Sequence, residues 1–408
     1  MHERTGLLTD AWVDRIAGPG SRLADAEAEV CSDYRDMERH RRDLFGQHES
    51  TGQAEARMRT IAKERTLNFL SRKAVIPKYG FPVDVVELDT RPKNRNSAGV
   101  ALQRDLSQAI AEYAPGGKVV ARKLEWESRG LKKVSGKGWR LGFYRYESAL
   151  DFRKWNEGDP DAPANGRRYL IPEFGFVTPL STQPKAPRGR ARRLYTTRPF
   201  FQGFDSAMAP ETRLLAGVRV TKAQPGTLVI LCEGRNRSGF FICRSCGRHD
   251  TKRSTKHKHK SPSGKECRGS LENFSLGHEL VTDVVRLQFP GLKGEEDAYS
   301  VGYAVLLGAA ETLDVPDTDL NVTVTGAGKP NEAAIVLYDN VPGGAGLVAQ
   351  LENEAALMEV LRTTRSRVRG GCGCDSSCYG CLRSYRNQFA HPYLNRVTAL
   401  NVVELALG

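Results

Sequence analysis

Hydrophobic positions recur with a helical period in two segments near the start of the chain. Residues 20–48 are highly charged with sparse apolar positions, and residues 52–70 carry apolar residues at helical spacing. Both segments predict helices. Proline and glycine break this period after residue 76, and residues 83–88 predict a short strand.

The middle of the chain changes to short runs typical of β-structure. Residues 102–113 predict one helix, which the Pro-Gly-Gly sequence at 115–117 would end. Residues 118–231 then predict short strands separated by glycine, proline and charge. A hairpin core is favoured over a base-stacking surface for the aromatic residues of this stretch, which are Trp126, Trp139, Phe143, Tyr144, Tyr146 and Trp155.

Strand and helix patterns alternate in the C-terminal third, which predicts a compact α/β module. The predicted strands are 281–289, 320–326 and 333–339, and the predicted helices are 297–313, 345–367 and 395–406. The expected fold class is therefore α+β. Its predicted parts are N-terminal helices in 1–75, a basic β-rich region with a zinc-ribbon-like insertion in 76–290, and a C-terminal module with a four-cysteine metal site in 291–408.

Charge is distributed unevenly over the 408 residues. The net charge is +13, and Lys plus Arg minus Asp plus Glu gives −2 for residues 1–70, +22 for 71–270 and −7 for 271–408. Such a basic region favours a surface that binds nucleic acid, here DNA. The alternatives are an excess of positive charge that only keeps the protein soluble, or a contact with an acidic protein. The strongest candidates for phosphate contacts in this region lie in a basic loop without packing residues: Lys185, Arg188, Arg190, Arg192 and Arg193. The alternative is that this loop is solvated and binds nothing.

Hydropathy and the first residues of the chain bear on its compartment. The chain has no run of eighteen apolar residues, so no membrane span is expected. The sequence MHERTGLLTD has no apolar stretch of signal-peptide type, which predicts a cytoplasmic protein. In a reducing compartment, clustered cysteines favour metal ligation over disulfides.

Four cysteines lie within ten residues: Cys372, Cys374, Cys378 and Cys381. Interleaved glycines allow the backbone to bend until all four sulfurs converge. Four thiolates leave no open position on a tetrahedral ion, so structural zinc is the first interpretation. An iron–sulfur cluster is the alternative, because sequence spacing does not decide the metal.

A second candidate metal site lies in the basic region. Cys243 and Cys246 follow a strand, and Cys267 lies twenty-one positions after Cys246. His249, His257 and His259 lie between them, and His259 is the predicted fourth ligand because Pro262 and Gly264 could turn it towards Cys267. The alternative is a pair of unmetallated thiols beside a solvated loop.

A glycine-rich turn follows the predicted strand that ends at Asp339. It contains Gly343, Gly344 and Gly346, but neither G-x4-GK[S/T] nor G-x-G-x-x-G occurs. A tight turn is therefore favoured over a phosphate cradle. Asp339 would cap the turn or bind a metal, and a lone carboxylate is weak support for a nuclease. With no hydrolase motif present, no catalytic residue is assigned, and His391 with Asn387 is expected to support the metal site.

Two stretches, LYDNVPGGAGLVAQL and CGCDSSCYGCLRSYRNQFAHPYLNRVTAL, resemble the MrfA-like zinc-binding domain. That domain occurs in certain superfamily 2 DNA helicases and in DrmB proteins of the DISARM anti-phage system. The resemblance implies that the four clustered cysteines bind metal, with Cys243, Cys246 and Cys267 matching an upstream site less securely. The family often has aspartate where this chain has Asn395, which can still cap a helix. No Walker A lysine or DExH box is present.

The expected function is a non-motor, zinc-binding accessory subunit that binds DNA with a superfamily 2 helicase partner in anti-phage defence. The first alternative is the C-terminal part of a split repair helicase of the MrfA type. The others are a metal-dependent nuclease using Asp339 and a purely structural zinc scaffold that binds protein.

Overall fold

The structure is a computed structural model, and it describes most of the chain. The described residues are 18, 21–48, 50–63, 85–91, 99–180, 184–187, 194–204, 210–251 and 258–408. The end of the predicted helix 52–70 after residue 63, and the first two residues of the predicted strand 83–88, lie outside them.

Six α-helices are present in the described residues: α1 Arg22–Gly46, α2 Gly52–Lys63, α3 Leu106–Glu112, α4 Gly294–Thr312, α5 Glu354–Arg369 and α6 Arg396–Leu407. The strands there are β1 Val85–Asp89, β2 Gln103–Asp105, β3 Lys118–Ala121, β4 Leu124–Glu127, β5 Gly130–Leu131, β6 Arg140–Arg145, β7 Arg153–Asn156, β8 Arg167–Ile171, β9 Phe176–Val177, β10 Arg198–Phe204, β11 Thr212–Leu215, β12 Val218–Cys232, β13 Phe240–Cys243, β14 His249–Asp250, β15 His259–Lys260, β16 Glu266–Cys267, β17 Leu271–Gln288, β18 Leu320–Gly326 and β19 Ala333–Asp339. None of the helices in these segments combines the length and apolarity needed to span a bilayer.

Two predicted helices begin later than expected. The predicted helix at 102–113 starts at Leu106, because 103–105 pair with β1 as a strand and the Asp105 carboxylate accepts from the N–H of Ser107 at 2.8 Å. The predicted helix at 345–367 is interrupted, since Asn353 has an extended backbone and caps α5 by accepting from the N–H of Ala356 at 3.1 Å. Both starts were wrong because local caps override hydrophobic spacing.

The chain divides into two compact units, each built from separate segments. Unit 1 is Met1–Arg140, Ile171–Tyr195 and Gly234–Leu276, and unit 2 is Leu141–Leu170, Thr196–Glu233 and Gly277–Gly408. The three-part division expected from the sequence stays a prediction.

Unit 1 contains a small mixed sheet in the strand order β2–β1–β9–β5, in which β1 and β9 are parallel. Helix α1 is attached within this unit by a buried ion pair. Lys132 Nζ lies 2.7 Å from a carboxylate oxygen of Glu29 and 2.9 Å from one of Asp33. Two acidic groups of α1 are therefore paired with a cation of the same chain.

Unit 2 is dominated by a large sheet with the strand order β10–β12–β17–β8–β6–β7. β19 pairs with β17, and β18 pairs with β19, both antiparallel. The strands that alternate with helices in the C-terminal module are therefore joined as antiparallel neighbours. β17 also begins ten residues before its predicted start at 281.

Helix α4 is the buried centre of unit 2 and packs on β18, β19, α5 and α6. Two of its glycines permit this packing: a Cβ at Gly308 would collide with the Thr364 side chain, and one at Gly302 would lie 3.0 Å from Val322. Of the aromatic residues expected to be core, Trp126 and Tyr144 are fully buried, whereas Trp139, Phe143, Tyr146 and Trp155 are half-buried.

Candidate metal centres

The four C-terminal cysteines converge in unit 2, between the end of α5 and the start of α6. Their sulfur atoms all lie within 4.8 Å of one another. Cys372 and Cys374 are 3.4 Å apart, Cys374 and Cys381 3.7 Å, and Cys378 and Cys381 3.8 Å. These separations are far beyond an S–S bond, so the four cysteines are not joined by disulfides.

Backbone hydrogen bonds shape this loop. The carbonyl oxygen of Cys378 accepts from the N–H groups of Cys381, Leu382 and Arg383 at 2.9 to 3.1 Å. Two further N–H groups point at sulfur: that of Cys378 at the Cys381 sulfur (3.1 Å) and that of Gly380 at the Cys378 sulfur (3.3 Å). N–H donors directed at sulfur stabilise the thiolate form, which is the form that binds metal.

Arg396 ties this loop to both helices, and its role was not predicted from the sequence. Its Nε donates to the carbonyl of Cys374 at 2.9 Å, and its Nη1 donates to the carbonyl of Val368, in the last turn of α5, at 3.2 Å. Its backbone N–H donates to the carbonyl of Ser376 at 2.8 Å. Asn395 caps α6 as expected, by accepting from the N–H of Val397 at 2.9 Å.

The thiols within each cluster differ in acidity. The N–H and thiol of Cys374 hydrogen-bond to Cys372 and lower the pKa of Cys372 to about 7, while the same contact raises the pKa of Cys374 to about 12. In unit 1, the hydrogen bond with Cys246 lowers the pKa of Cys243 to about 4. Each cluster therefore contains one cysteine that ionises readily beside another that retains its proton.

The second cluster, in unit 1, is formed by Cys243, Cys246, His259 and Cys267. Their ligand atoms also lie within 4.8 Å of one another. The Cys243 and Cys267 sulfurs are 3.8 Å apart, and the Cys246 sulfur is 3.3 Å from Nε2 of His259. Within the described residues these are the only two groups of three or more potential ligands that converge in this way.

Two tight turns build this second cluster. After β13, the N–H of Gly247 donates to the carbonyl of Cys243 at 2.8 Å, and Gly247 has φ 75° with no room for a Cβ beside Leu131. In the second turn, β15 and β16 pair so that His259 lies directly opposite Cys267. Gly264, with φ 83°, forms part of the connecting turn.

The other two histidines of this region are not in the cluster as described. His249 lies on β14, with its ring edge-on to Phe240 at 6.0 Å, and burial lowers its pKa to about 4. His257 lies outside the described residues. Sequence spacing left three candidates, and the strand register selects His259.

Both ligand sets fit a single tetrahedral ion. With Zn–S bonds of about 2.3 Å, neighbouring sulfurs of a tetrahedral site lie ~3.8 Å apart. The observed S···S separations of 3.4 to 3.8 Å agree with that spacing. Both clusters could therefore hold a metal ion with little rearrangement.

Asp339 organises the glycine-rich turn. Its side chain is fully buried, and its carboxylate accepts from the N–H groups of Ala345 (2.6 Å), Leu347 (3.1 Å) and Val348 (3.0 Å). The turn itself uses Gly343, Gly344 and Gly346, each with a positive φ. The N–H groups that could have faced an anion are directed at Asp339, which supports the tight-turn interpretation.

His391 and Asn387 form a hydrogen-bonded support after the cysteine loop. Nε2 of His391 lies 3.0 Å from both the Ser384 carbonyl and Oδ1 of Asn387, and the ring packs edge-on against Tyr379. Asn387 is buried and donates to the carbonyl of Leu382 at 2.9 Å. These contacts fix the chain beyond Cys381.

Of the candidate phosphate-binding residues, the structure describes Lys185, which is exposed in unit 1. Arg188, Arg190, Arg192 and Arg193 lie outside the described residues.

Comparison with known proteins identifies part of this arrangement. The family model of the MrfA Zn-binding domain matches residues 301–382, which include α4 from its eighth residue, β18, β19, α5 and all four C-terminal cysteines. The Druantia protein DruE of Escherichia coli (strain UMEA 4076-1) is 25% identical over 410 aligned positions, which cover 85% of this chain and 22% of that protein. The chain thus spans about a fifth of the length of this curated relative.

Two solved structures overlap partially with this chain. One is a crystal structure of the DUF1998 helicase MrfA bound to DNA, with 11% identity and a TM-score of 0.35, covering 83% of this chain and 38% of that one. The other, MrfA bound to DNA and AMPPNP, has 11% identity and a TM-score of 0.29, covering 81% and 32%. The family match, by contrast, coincides with the helices and strands that position the four thiols. Residues 301–382 of this chain are therefore an MrfA Zn-binding domain.

Proposed function

We propose that this chain is a zinc-stabilised, non-motor module that binds DNA and works with a superfamily 2 helicase. The observation that carries the proposal is the MrfA Zn-binding domain, whose four thiols converge at tetrahedral spacing. The net charge of +22 in residues 71–270 supports DNA as the ligand. The absence of a Walker A lysine or DExH box from these 408 residues supports a module in which ATP hydrolysis belongs to a partner or to another segment.

Zinc is the proposed metal at both clusters. Four protein ligands leave no position for water or substrate, which is typical of structural and not catalytic zinc. In a multi-iron cluster the thiolates bind different iron atoms and spread apart, whereas all four ligand atoms of each set lie within 4.8 Å of one another here. Bound zinc would join the α5 end to the α6 start in one unit, and β13 to the β15–β16 hairpin in the other.

Elemental analysis of the purified chain tests the metal proposal. We expect two zinc atoms per chain, one after Cys378→Ser and one after Cys267→Ser. Cys31→Ser is the matched control, because this half-buried thiol lies outside both clusters, and it should retain two. Iron, or a visible charge-transfer absorption in anaerobically purified protein, would contradict zinc.

DNA binding is tested by titrating a labelled oligonucleotide at several salt concentrations. Phosphate contacts release counterions, so affinity should fall steeply as salt rises. An affinity that does not change between low and moderate salt would exclude the basic surface as the binding site. The purified chain alone should not hydrolyse ATP, with or without DNA.

The sequence resemblance to DrmB supports the proposal that this module acts in anti-phage defence. Phage plating on cells that carry the native locus tests this setting: Cys378→Ser should raise plaque formation, whereas Cys31→Ser should not. A second candidate is the same module as part of a longer repair helicase of the MrfA type, which is favoured by the chain's match to only 22% of its curated relative. An adjacent reading frame with Walker motifs, or their presence in the same polypeptide, discriminates between the two.

A further inference from the structure

The β3–β4 hairpin of unit 1 ends in an unusual turn. Ala121 pairs with Leu124, so Arg122 and Lys123 form a two-residue loop, and their φ angles are 50° and 60°. Hairpin loops with positive φ at both positions strongly prefer Asn-Gly, because side chains with a Cβ are strained there. Two long cationic residues at these positions therefore reduce the stability of the hairpin.

The chain forms another turn of this kind without cations. Leu215 pairs with Val218, and the loop between them is Ala216-Gly217, with φ angles of 47° and 73°. Small residues thus adopt the same backbone conformation elsewhere in the molecule. Strained residues that the fold does not require are a reason to look for a function.

One face of the hairpin is anchored and the other is open. Trp126, opposite Val119, is 2% exposed and fixes the inner face, whereas strand β3 has no buried residue. On the outer face, the carboxylate of Glu125 lies 2.7 Å from Nζ of Lys118. Glu127, the other carboxylate of this face, lies 3.1 Å from a guanidinium nitrogen of Arg129. Because both acidic groups have a cation beside them, the charge presented at the turn is positive.

Lys185 lies on the same small sheet. The N–H of Glu125 donates to the carbonyl of Lys185 at 2.7 Å in an antiparallel bridge, so Ala186 and Pro187 run towards the turn. A cleft of about 270 Å³ is lined by residues of both the hairpin and this segment, including Lys118, Glu125, Glu127 and Lys185. The exposed Lys185 and the cationic turn therefore flank one ribbon.

We propose that Arg122 and Lys123, together with Lys185, form a contact surface for the phosphate backbone of a nucleic acid. The inference rests on the proposed DNA binding and identifies where it takes place. A two-stranded ribbon has a shape that DNA grooves admit. An acidic protein partner is less well matched, because Val120 is the only exposed large apolar residue of the hairpin, and stable protein interfaces use apolar or aromatic anchors.

The double variant Arg122→Asn/Lys123→Gly separates charge from fold. Asn-Gly suits the turn, so the melting temperature should be unchanged or raised. Binding of a labelled oligonucleotide at low salt should weaken roughly tenfold, and the slope of log K against log salt should fall in magnitude by about 1.8 for duplex or about 1.4 for single-stranded DNA. Lys185→Gln, a single change, should lower the slope by about half as much.

The matched control is Arg213→Gln/Lys329→Gln, which removes two exposed cations from unit 2. It should leave the slope unchanged. An Arg122→Asn/Lys123→Gly protein that keeps the parental slope overturns the inference. An equal loss in the control also overturns it, because binding would then follow net charge alone. Weaker binding of poly-glutamate with unchanged DNA binding would assign the surface to acidic protein and also overturn it. If the parental chain binds no DNA, the proposed function fails, and this inference fails with it.

Discussion

Arg396 donates a hydrogen bond from Nε to the carbonyl oxygen of Cys374 at 2.9 Å. The same guanidinium reaches the carbonyl of Val368 near the end of α5, where cations are favoured by the helix dipole. A single side chain at the first position of α6 thus holds the cysteine loop against the end of α5. Such contacts beside a metal site fix the position of the ligands before the ion binds.

Arg396→Gln should loosen the C-terminal metal site. The loss of hydrogen bonds from a charged donor is expected to lower the free energy of unfolding by about 1–3 kcal/mol and to speed zinc transfer to a chelator. Zinc release is followed with a colorimetric chelator under native conditions. Lys329→Gln, at a side chain 79% exposed, is the control. Equal release rates in Arg396→Gln and the parental chain would refute a role for Arg396 in holding the loop.

His259 is predicted to be replaceable by a thiol but not by a methyl group. Since His259 lies opposite Cys267 and 3.3 Å from the Cys246 sulfur, His259→Cys should retain two zinc atoms per chain, whereas His259→Ala should retain one. His249→Ala should retain two, because His249 lies outside the cluster. Metal analysis after dialysis measures all three, and loss of zinc in His249→Ala would show that the wrong histidine has been assigned.

Asp339 is predicted to stabilise the fold and to have no role in catalysis. Asp339→Ala leaves three N–H groups around a buried position without their acceptor, and we expect a loss of about 3 kcal/mol or more in the free energy of unfolding. Urea denaturation measures this free energy of unfolding. The control Asp317→Asn, at an exposed position, should change the free energy of unfolding by less than about 0.5 kcal/mol. An Asp339→Asn protein of parental stability that had lost a metal-dependent nuclease activity would instead support the nuclease alternative.

The buried ion pair of α1 predicts a pH dependence. Burial by itself lowers the pKa of Lys132, but the carboxylates of Glu29 and Asp33 outweigh this effect and raise the pKa above its ordinary value. Because the pKa of Lys132 is higher in the folded state, the ion pair contributes its full stabilisation below the unfolded-state pKa of about 10.4. This stabilisation is lost as pH rises through the folded-state pKa.

Lys132→Met should therefore cost about 3–5 kcal/mol at neutral pH, because two carboxylates lose their buried partner. The difference from the parental chain should be constant between about pH 7 and 9 and should shrink only above about pH 10.4. Lys118→Met, which removes a more exposed pair with Glu125, should cost less than about 1 kcal/mol. Denaturant titrations across this pH range decide the matter, and a difference that shrinks between pH 7 and 9 would contradict the assignment to Lys132.

Local sequence information was sufficient for most elements and for the clustering of the four C-terminal cysteines. Cysteine spacing and glycine placement act over a few residues, so the convergence of Cys372 with Cys381 could be anticipated from the sequence. The same holds for the cap at Asn395, whose acceptor reaches N–H groups two and three residues away. Element starts at 102 and 345 were misplaced because a polar cap and a strand partner compete with helical periodicity.

The sequence by itself determined the clustering of potential metal ligands, the basic middle region and the α+β composition, since these depend on residue type and short spacing. Only the tertiary structure decided which histidine faces Cys267 and that Arg396 holds the cysteine loop. It also decided that α1 binds Lys132 of its own chain and that Lys185 pairs with Glu125 of the β3–β4 hairpin. These relationships join residues brought together by strand register and helix packing. Pairings over such distances depend on the free energy of the whole fold, and no short pattern of residues encodes them.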